Sequence, residues 1–558
     1  MPAVTSSAWP QGISKHVDWP RHSLAQNLID TATRVPKRDA LVFYGRTLSY
    51  SALHDAVDHM AGYLQFECGV SKGDRVLLFM QNSPQFVIAY YAILRADAVV
   101  IPVNAMNRQA ELVHLASDTG ARVAFCGTEL LGFMNPLVES GALDRVIAAN
   151  YADMADPDYD LALPTPLSDL REDDYVGSNI TLWSTAMAAK ATPNAITARG
   201  DDIAVIPYSS GTVGQPKGCV HTHFSTNVTA VGGAHWNPIP EGTVTLATLP
   251  FFHVTGMQSV MNGAIYAGST MVIMTRWDRK VAAELIKRYR VNRWRSIATM
   301  AIDLVNDPDF ESYDLSSLDA IGGGGAAMPE AIAAQLKAMT GLDYVEGYGL
   351  SETMAATHIN PITAPKRQCL GIAVFDVDAR VISLVDDTEL GPDEPGEIVM
   401  NAPQVFQGYW NNPEATKAAF IEIDGKPFFR SGDIGYYDSE GYFFMVDRVK
   451  RMINASGFKV WPAEVETLMH AHPDIREACV IGVPDARRGE AVKAYVVAAE
   501  NAGGTLNEAD IIAWCRKEMA AYKCPSTVAI VEALPKSGAG KVLWRSLMET
   551  DANADAKP

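Results

Sequence analysis

Between Tyr208 and Gly218 the chain reads YSSGTVGQPKG. Ser209, Ser210 and Thr212 bring hydroxyl donors, and Gly211, Gly214 and Gly218 let backbone N–H groups approach an anion. Lys217 adds a mobile positive charge. These residue types suit a loop that wraps phosphate, fed by a strand at IAVIPYSS. The stretch is not the common nucleotide P-loop, which needs Gly-Lys-Ser/Thr opening a helix, because Pro216 precedes the lysine and Gly218 follows it. Dense Gly and Ser also mark ordinary surface turns, so the stretch alone leaves both readings open.

Six further segments set reactive side chains among glycines. They are PFFHVTGM (Pro250–Met257), GGGGAAMP (Gly322–Pro329), YVEGYGLSET (Tyr344–Thr353), FRSGDIGYYDSEGY (Phe429–Tyr442), VDRVKRMINASGFKVWPAEVE (Val446–Glu466) and LPKSGAGK, ending at Lys541.

Strand-like runs alternate with helical ones over most of the chain. SALHDAVDHMAGYLQFE has helical spacing, RVLLFM reads as a buried strand, PQFVIAYYAILRA as a helix and AVVIPV as the next strand, with ARVAFC and TMVIM repeating the strand type. Such alternation predicts an α/β fold of parallel sheets covered by helices. From about residue 370 the runs become rich in β-branched and aromatic residues with turns between them, which predicts a β-rich subdomain. Beyond it a helix–strand–strand–helix pattern predicts a small α+β domain, with Pro462 in a first helical turn.

A length of 558 residues exceeds one hydrophobic core, and 48% hydrophobic with 20% charged residues is the balance of a soluble globular protein. A net charge of -19 gives no support to nucleic-acid binding, so a polyanionic ligand would need positive charge gathered locally. Seven scattered cysteines without a CxxC pair argue against a disulfide framework or zinc site and for a cytoplasmic location. No signal peptide is visible, and Arg95 and Asp97 interrupt the most apolar run, so no membrane span is expected.

Taken in order, the phosphate-type loop and the six segments resemble the adenylate-forming enzymes: acyl-CoA synthetases, peptide-synthetase adenylation domains and luciferases. The resemblance runs from Arg46 to Lys541. It implies a large N-terminal domain over residues 1–449, of parallel-rich sheets flanked by helices plus the β-rich subdomain at about 370–449, and a small mobile α+β C-terminal domain over 450–558. It also implies the reaction. A carboxylate attacks the α-phosphate of ATP to give an acyl-adenylate and pyrophosphate, and a thiol, usually of coenzyme A, then displaces AMP.

The resemblance assigns Ser209, Ser210, Gly211, Thr212, Gly214 and Lys217 to the β- and γ-phosphates, with Val213 where relatives usually carry a second Thr. Gly325, Ala326 and Ala327 would line the adenine, Tyr348 would stack on it, and Glu346 and Gly347 of the same motif would border the nucleotide. Ser351, at a position more often Thr, would donate to the α-phosphate, and Glu352 would hold Mg²⁺. Asp433 would accept the ribose hydroxyls and Arg448 would reach ribose or phosphate. Lys541 would bridge the acid carboxylate and the α-phosphate. Lys450 would be the hinge of a domain rotation that brings Gly457 to the thiol channel.

The acid would lie near His253, Val254, Met257, Thr299, Gly323 and Gly347. His253 is either a contact with the acid or a packed ring. No charged residue stands out in these motifs to grip an amino or second carboxyl group, so an apolar acid, foremost a medium- or long-chain fatty acid, is expected. Aromatic and short branched or sulfur-containing acids stay open, as does transfer to a carrier protein. A degenerate adenylate-binding protein on the same fold is the reading from another class. Expected partners are the acid, ATP and coenzyme A, with a homo-oligomer left open.

Overall fold

The computed structural model describes residues 4, 6–164, 179–209, 215–325, 327–448, 451–455, 458–485, 489–499, 506–537 and 542–555. The chain divides into two compact units, one of residues 6–378 with 401–429, the other of residues 1–5, 379–400 and 430–558.

The larger unit holds a nine-stranded and a seven-stranded sheet. The first runs in the order Ile372–Ala373, Ala355–Ile359, Tyr344–Leu350, Ala320–Gly324, Arg293–Ser296, Val244–Ala247, Thr270–Ile273, Asp39–Phe43, Arg46–Ser49. Its middle is parallel and both margins are antiparallel. The second runs His221–Thr222, Ile203–Val205, Val99–Pro102, Arg75–Phe79, Val123–Gly127, Arg145–Ala149, Ile180–Leu182, parallel except at the His221 edge. Parallel neighbours need crossover connections, and the helices between the strands supply them.

The main core packs helices between the two sheets. Leu78, Val100, Phe125 and Ile147 of one sheet and Leu41, Phe43, Ala247 and Ile273 of the other meet the helices Tyr50–Phe66, Pro84–Arg95 and Gly263–Ala267. Pro84–Arg95 is started by Ser83, whose hydroxyl accepts from Phe86 N at 3.1 Å, with Pro84 in the first turn. Residues Pro84 to Leu94 are all buried, which explains an apolar run without a polar face. A second core, around Trp294 and Trp277, lies against the helices Arg279–Arg288 and Ala298–Val305.

In the smaller unit, one sheet carries Asp378–Ile382, Gly396–Asn401 and Lys426–Tyr437 in that order, with Phe443–Arg448 antiparallel to the last. The other runs Phe458–Val460, Ile453–Ala455, Gly489–Ala498, Ile475–Asp485, and Thr527–Ile530 joins Gly489–Ala498 in parallel. The helices Pro462–Met469 and Glu508–Glu518 pack on it through Val465, Met469, Ile511 and Cys515, and Pro462 opens its helix as expected. The fold is thus the α/β class read from the sequence. Among the described residues no helix is long and apolar enough to cross a membrane.

Candidate active site

The YSSGTVGQPKG loop rises from a short hairpin. Tyr208–Ser209 pairs antiparallel with Lys217–Gly218, Lys217 opposite Ser209. Ser210, Gly211, Thr212, Val213 and Gly214 lie outside the described residues. Several contacts fix the hairpin base. The Tyr208 hydroxyl donates to Asp118 at 2.5 Å, and Trp410 Nε1 donates to the Asp118 carbonyl at 2.9 Å. Trp410 N donates to Gly218 O at 2.7 Å. A Cβ on Gly218 would stand 2.7 Å from the Ile206 side chain, so only glycine fits beneath the loop.

The hairpin brings Lys217 over the ring of Tyr409, whose hydroxyl contacts the carboxylate that the resemblance assigns to the metal. Lys217 Nζ lies 5.0 Å from the Tyr409 ring centre, and the Tyr409 hydroxyl donates to Glu352 Oε1 at 2.9 Å. Glu352 is anchored a second time where Phe406 N donates to its carbonyl at 2.8 Å. Buried Cys219 sits close by, and burial, then the Glu352 charge, push its thiol well above the ordinary range. Ser351 opens the single turn Ser351–Thr353, and its carbonyl accepts from His221 Nε2 at 2.7 Å. Burial lowers His221 to about 4, so the ring is neutral near pH 7 and carries its proton on Nε2, facing the carbonyl.

The glycine run is dictated by strand packing as well as by any base. A Cβ at Gly323 would stand 1.8 Å from Ser296 O, and at Gly322 or Gly324 it would stand 2.3 Å from a carbonyl of the next strand. Gly325 has φ +88, and both it and Ala327 are exposed, while Ala326 lies outside the described residues. Glu346 holds the following turn: its buried carboxylate accepts from Met328 N at 2.9 Å, and burial raises its pKa. Gly347 is half-buried. Tyr348 is buried, with its ring centre 5.7 Å from that of His358.

His253 begins a helical stretch that continues as the π-helix Gly256–Asn262, a form common at functional sites. Val254 and Met257 are core residues, whereas His253 and Thr299 are half-buried.

In the smaller unit, Asp433 and Arg448 face each other on paired strands. Arg448 Nε lies 2.9 Å from Asp433 Oδ1, and Asp433 is fully buried. The two residues assigned to the ribose are thus brought together. Arg451 is a structural cation, paired with Glu466 and donating to Val480 O at 3.2 Å. Lys541, Lys450 and Gly457 lie outside the described residues. The segment carrying Lys541 leaves a closed base, where Lys536 and Val542 form a bridge and Leu543 N donates to Pro535 O at 2.7 Å.

Sequence reasoning passed over Tyr409, Asp118 and His221, which couple the hairpin to the Ser351–Glu352 turn. The FQGYW run (Phe406–Trp410), a glycine before two aromatics, was the available signal.

Among the described residues no group of three or more His, Cys, Asp or Glu could hold a metal ion. One carboxylate, Glu352, still suits Mg²⁺, an ion bound through one or two carboxylates plus substrate phosphates. Tyr409 orients that carboxylate through one oxygen only.

The family described as AMP-binding enzyme matches residues 28–410, and its C-terminal domain matches 464–541. The chain is 33% identical to a long-chain-fatty-acid–CoA ligase of Bacillus subtilis (strain 168), over 97% of both chains. It is 31% identical to a feruloyl-CoA synthase of Amycolatopsis sp, over 91% of this chain and 95% of that one. The crystal structure of ATP-bound MatB from Rhodopseudomonas palustris superimposes with a TM-score of 0.83 at 26% identity, covering 95% of this chain and 99% of that one. The chain belongs to the AMP-binding enzyme family.

Proposed function

We propose that the chain is an AMP-forming acid–CoA ligase that takes a fatty acid, with free coenzyme A as acceptor. The observation that carries this is the line Lys217–Tyr409–Glu352, which joins the base of a phosphate-type loop to an oriented carboxylate. A carboxylate and a triphosphate are both anions, and their reaction needs fixed cations and donors around the phosphates. Lys217 and the loop hydroxyls of Ser210 and Thr212 hold the departing pyrophosphate. Ser351 donates to the α-phosphate, and Lys541 spans that phosphate and the acid carboxylate. Glu352 binds Mg²⁺, which neutralises phosphate charge when bound. Asp433 and Arg448 orient the ribose, their ion pair fixing the carboxylate before substrate arrives.

The domain reading follows the same proposal: a body over 1–449 and a mobile domain over 450–558, hinged at Lys450, with Gly457 in the thiol channel. A cytoplasmic setting, where ATP and coenzyme A are supplied, fits this chemistry. The fatty-acid reading rests on the relatives' names and on the apolar Val254 and Met257 at the His253 helix. Pyrophosphate release across a chain-length series of acids, with and without coenzyme A, tests it. Release followed by thioester only with coenzyme A is expected. Release without thioester would point to a carrier protein, and no release with any acid would overturn the ligase reading in favour of an adenylate-binding protein.

A further inference from the structure

Arg295 stands on Arg293–Ser296, a central strand of the nine-stranded sheet. Its neighbours in sequence settle which way it points. Trp294 stacks on Trp277 in the outer core, with ring centres 5.7 Å apart. Side chains alternate along a strand, so Arg295 faces the other side. Leu246 pairs with Trp294, which sets Ala247 beside Arg295, and Ala247 pairs with Ile273. Ala247 and Ile273 share the core that contains Val254, Met257 and Val260 of the His253 helix. Arg295 therefore rises on the face that this helix covers, the side where the acid pocket is expected.

On its other flank Arg295 pairs with Gly322, which has no side chain to fill the space. Arg295 Nη1 lies 3.0 Å from where a Cβ of Gly322 would be, so the guanidinium lies across the glycine. Its side chain is deeply set yet keeps some accessible surface, which on a central strand must open into a cleft. Among the described residues it has no ion pair or hydrogen bond from the guanidinium. Its neighbour Arg293 differs, donating to Asn237 O at 3.0 Å and to Pro238 O and lying 3.7 Å from Asp319. Burial and the Arg293 charge pull Arg295 down to about 10, so it remains cationic near pH 7. A buried cation without a partner costs stability, and a ligand that supplies the missing anion removes that cost.

We propose that Arg295 is a specificity residue of the acid pocket, receiving a second oxygen function on the acid substrate, foremost a second carboxylate. The planar guanidinium fork matches a carboxylate through two parallel hydrogen bonds. A site built this way rejects an analogue lacking the oxygen group, because the arginine is then left unpaired. This deepens the ligase reading and rests on it: the chain of the acid lies along the apolar helix face, and its remote group meets Arg295. The apolar acid chain expected from the motifs stays; the RWRS strand, outside the motifs, would add a cation for a remote oxygen group.

The test is kcat/KM, by pyrophosphate release, for saturated monocarboxylic acids and for α,ω-dicarboxylic acids of the same lengths. It is run on the wild-type enzyme, Arg295→Met and Arg295→Lys, with the KM for ATP measured on each. The readout is the dicarboxylate-to-monocarboxylate ratio within one preparation, which does not depend on the fraction of protein folded. The ratio should exceed one in the wild type at the preferred length and fall by roughly 10- to 100-fold in Arg295→Met. Arg295→Lys should keep part of it. A wild-type ratio below one that Arg295→Met leaves unchanged overturns the proposal while the ligase reading stands. So does an equal loss on both acids accompanied by a raised KM for ATP, which would place Arg295 at the nucleotide. No release with any acid overturns the ligase reading itself, and this inference with it.

Discussion

At the residue scale, the polar contact that decides most is the Tyr409 hydroxyl on Glu352 Oε1, at 2.9 Å. A hydrogen bond to a charged group carries about 1.5–3 kcal/mol, so Tyr409→Phe should lower kcat/KM for ATP by roughly 10-fold or more. It should also raise the Mg²⁺ concentration for half-maximal rate, because the carboxylate loses its orientation; a normal Mg²⁺ titration would remove Tyr409 from the site. A second residue-scale prediction concerns Glu129. Its two carboxylate oxygens are buried beside Tyr151 without, among the described residues, a hydrogen-bond partner of normal geometry, and burial pushes it up to about 7. The folded value lies above the ordinary one, so its contribution is fully present below the unfolded pKa and lost as pH rises through 7. Glu129→Gln should stabilise the protein by about 1–3 kcal/mol at roughly pH 8 and give no gain at roughly pH 5, read from urea midpoints. Equal effects at both pH values would refute the assignment.

At the element scale, the strands that meet the nucleotide motifs are held by glycines that admit no substitute. Gly349 lies at a register shift between Tyr344–Leu350 and Ala355–Ile359, and a Cβ there would stand 1.7 Å from Ala355 O. Gly349→Ala should destabilise by about 3 kcal/mol and displace the Ser351–Glu352 turn that follows. Gly132 in the helix Leu131–Glu139 is the control, with nothing within 4 Å of its added Cβ. Gly132→Ala should stabilise by about 0.4–1 kcal/mol, because it restricts only the unfolded chain. Thermal midpoints of the two variants, moving in opposite directions, check both; similar shifts would show that the strand can yield.

At the scale of the whole molecule, the two proposed half-reactions draw on different segments of the smaller unit. Lys541→Ala should cripple adenylation by roughly 100-fold or more while largely sparing thioester formation from supplied acyl-adenylate. Gly457→Leu should do the reverse. Rates of both half-reactions on each variant test this, and equal damage to both by Lys541→Ala would refute it. Much of this was legible in the sequence. Helix and strand identity followed from local patterning: PQFVIAYYAILRA forms the helix Pro84–Arg95, and RVLLFM holds the buried strand Arg75–Phe79. The family followed from glycine-flanked segments in a fixed order, and some of those glycines answer a close backbone approach such as that of Gly323 to Ser296. What the sequence could not supply was adjacency between residues far apart in the chain. Tyr409 meets Glu352 and Asp118 meets Tyr208 only because the sheets bring them together, and nothing local marks them as partners. Arg295 is the sharpest case. The parallel register makes Arg293 a paired cation at a strand margin and sets Arg295, without an ion pair among the described residues, over Gly322. Sequence alone determined the elements, the family and the kind of chemistry; the tertiary structure decided which charges lose their water, because burial depends on strands far apart in the chain meeting in one sheet.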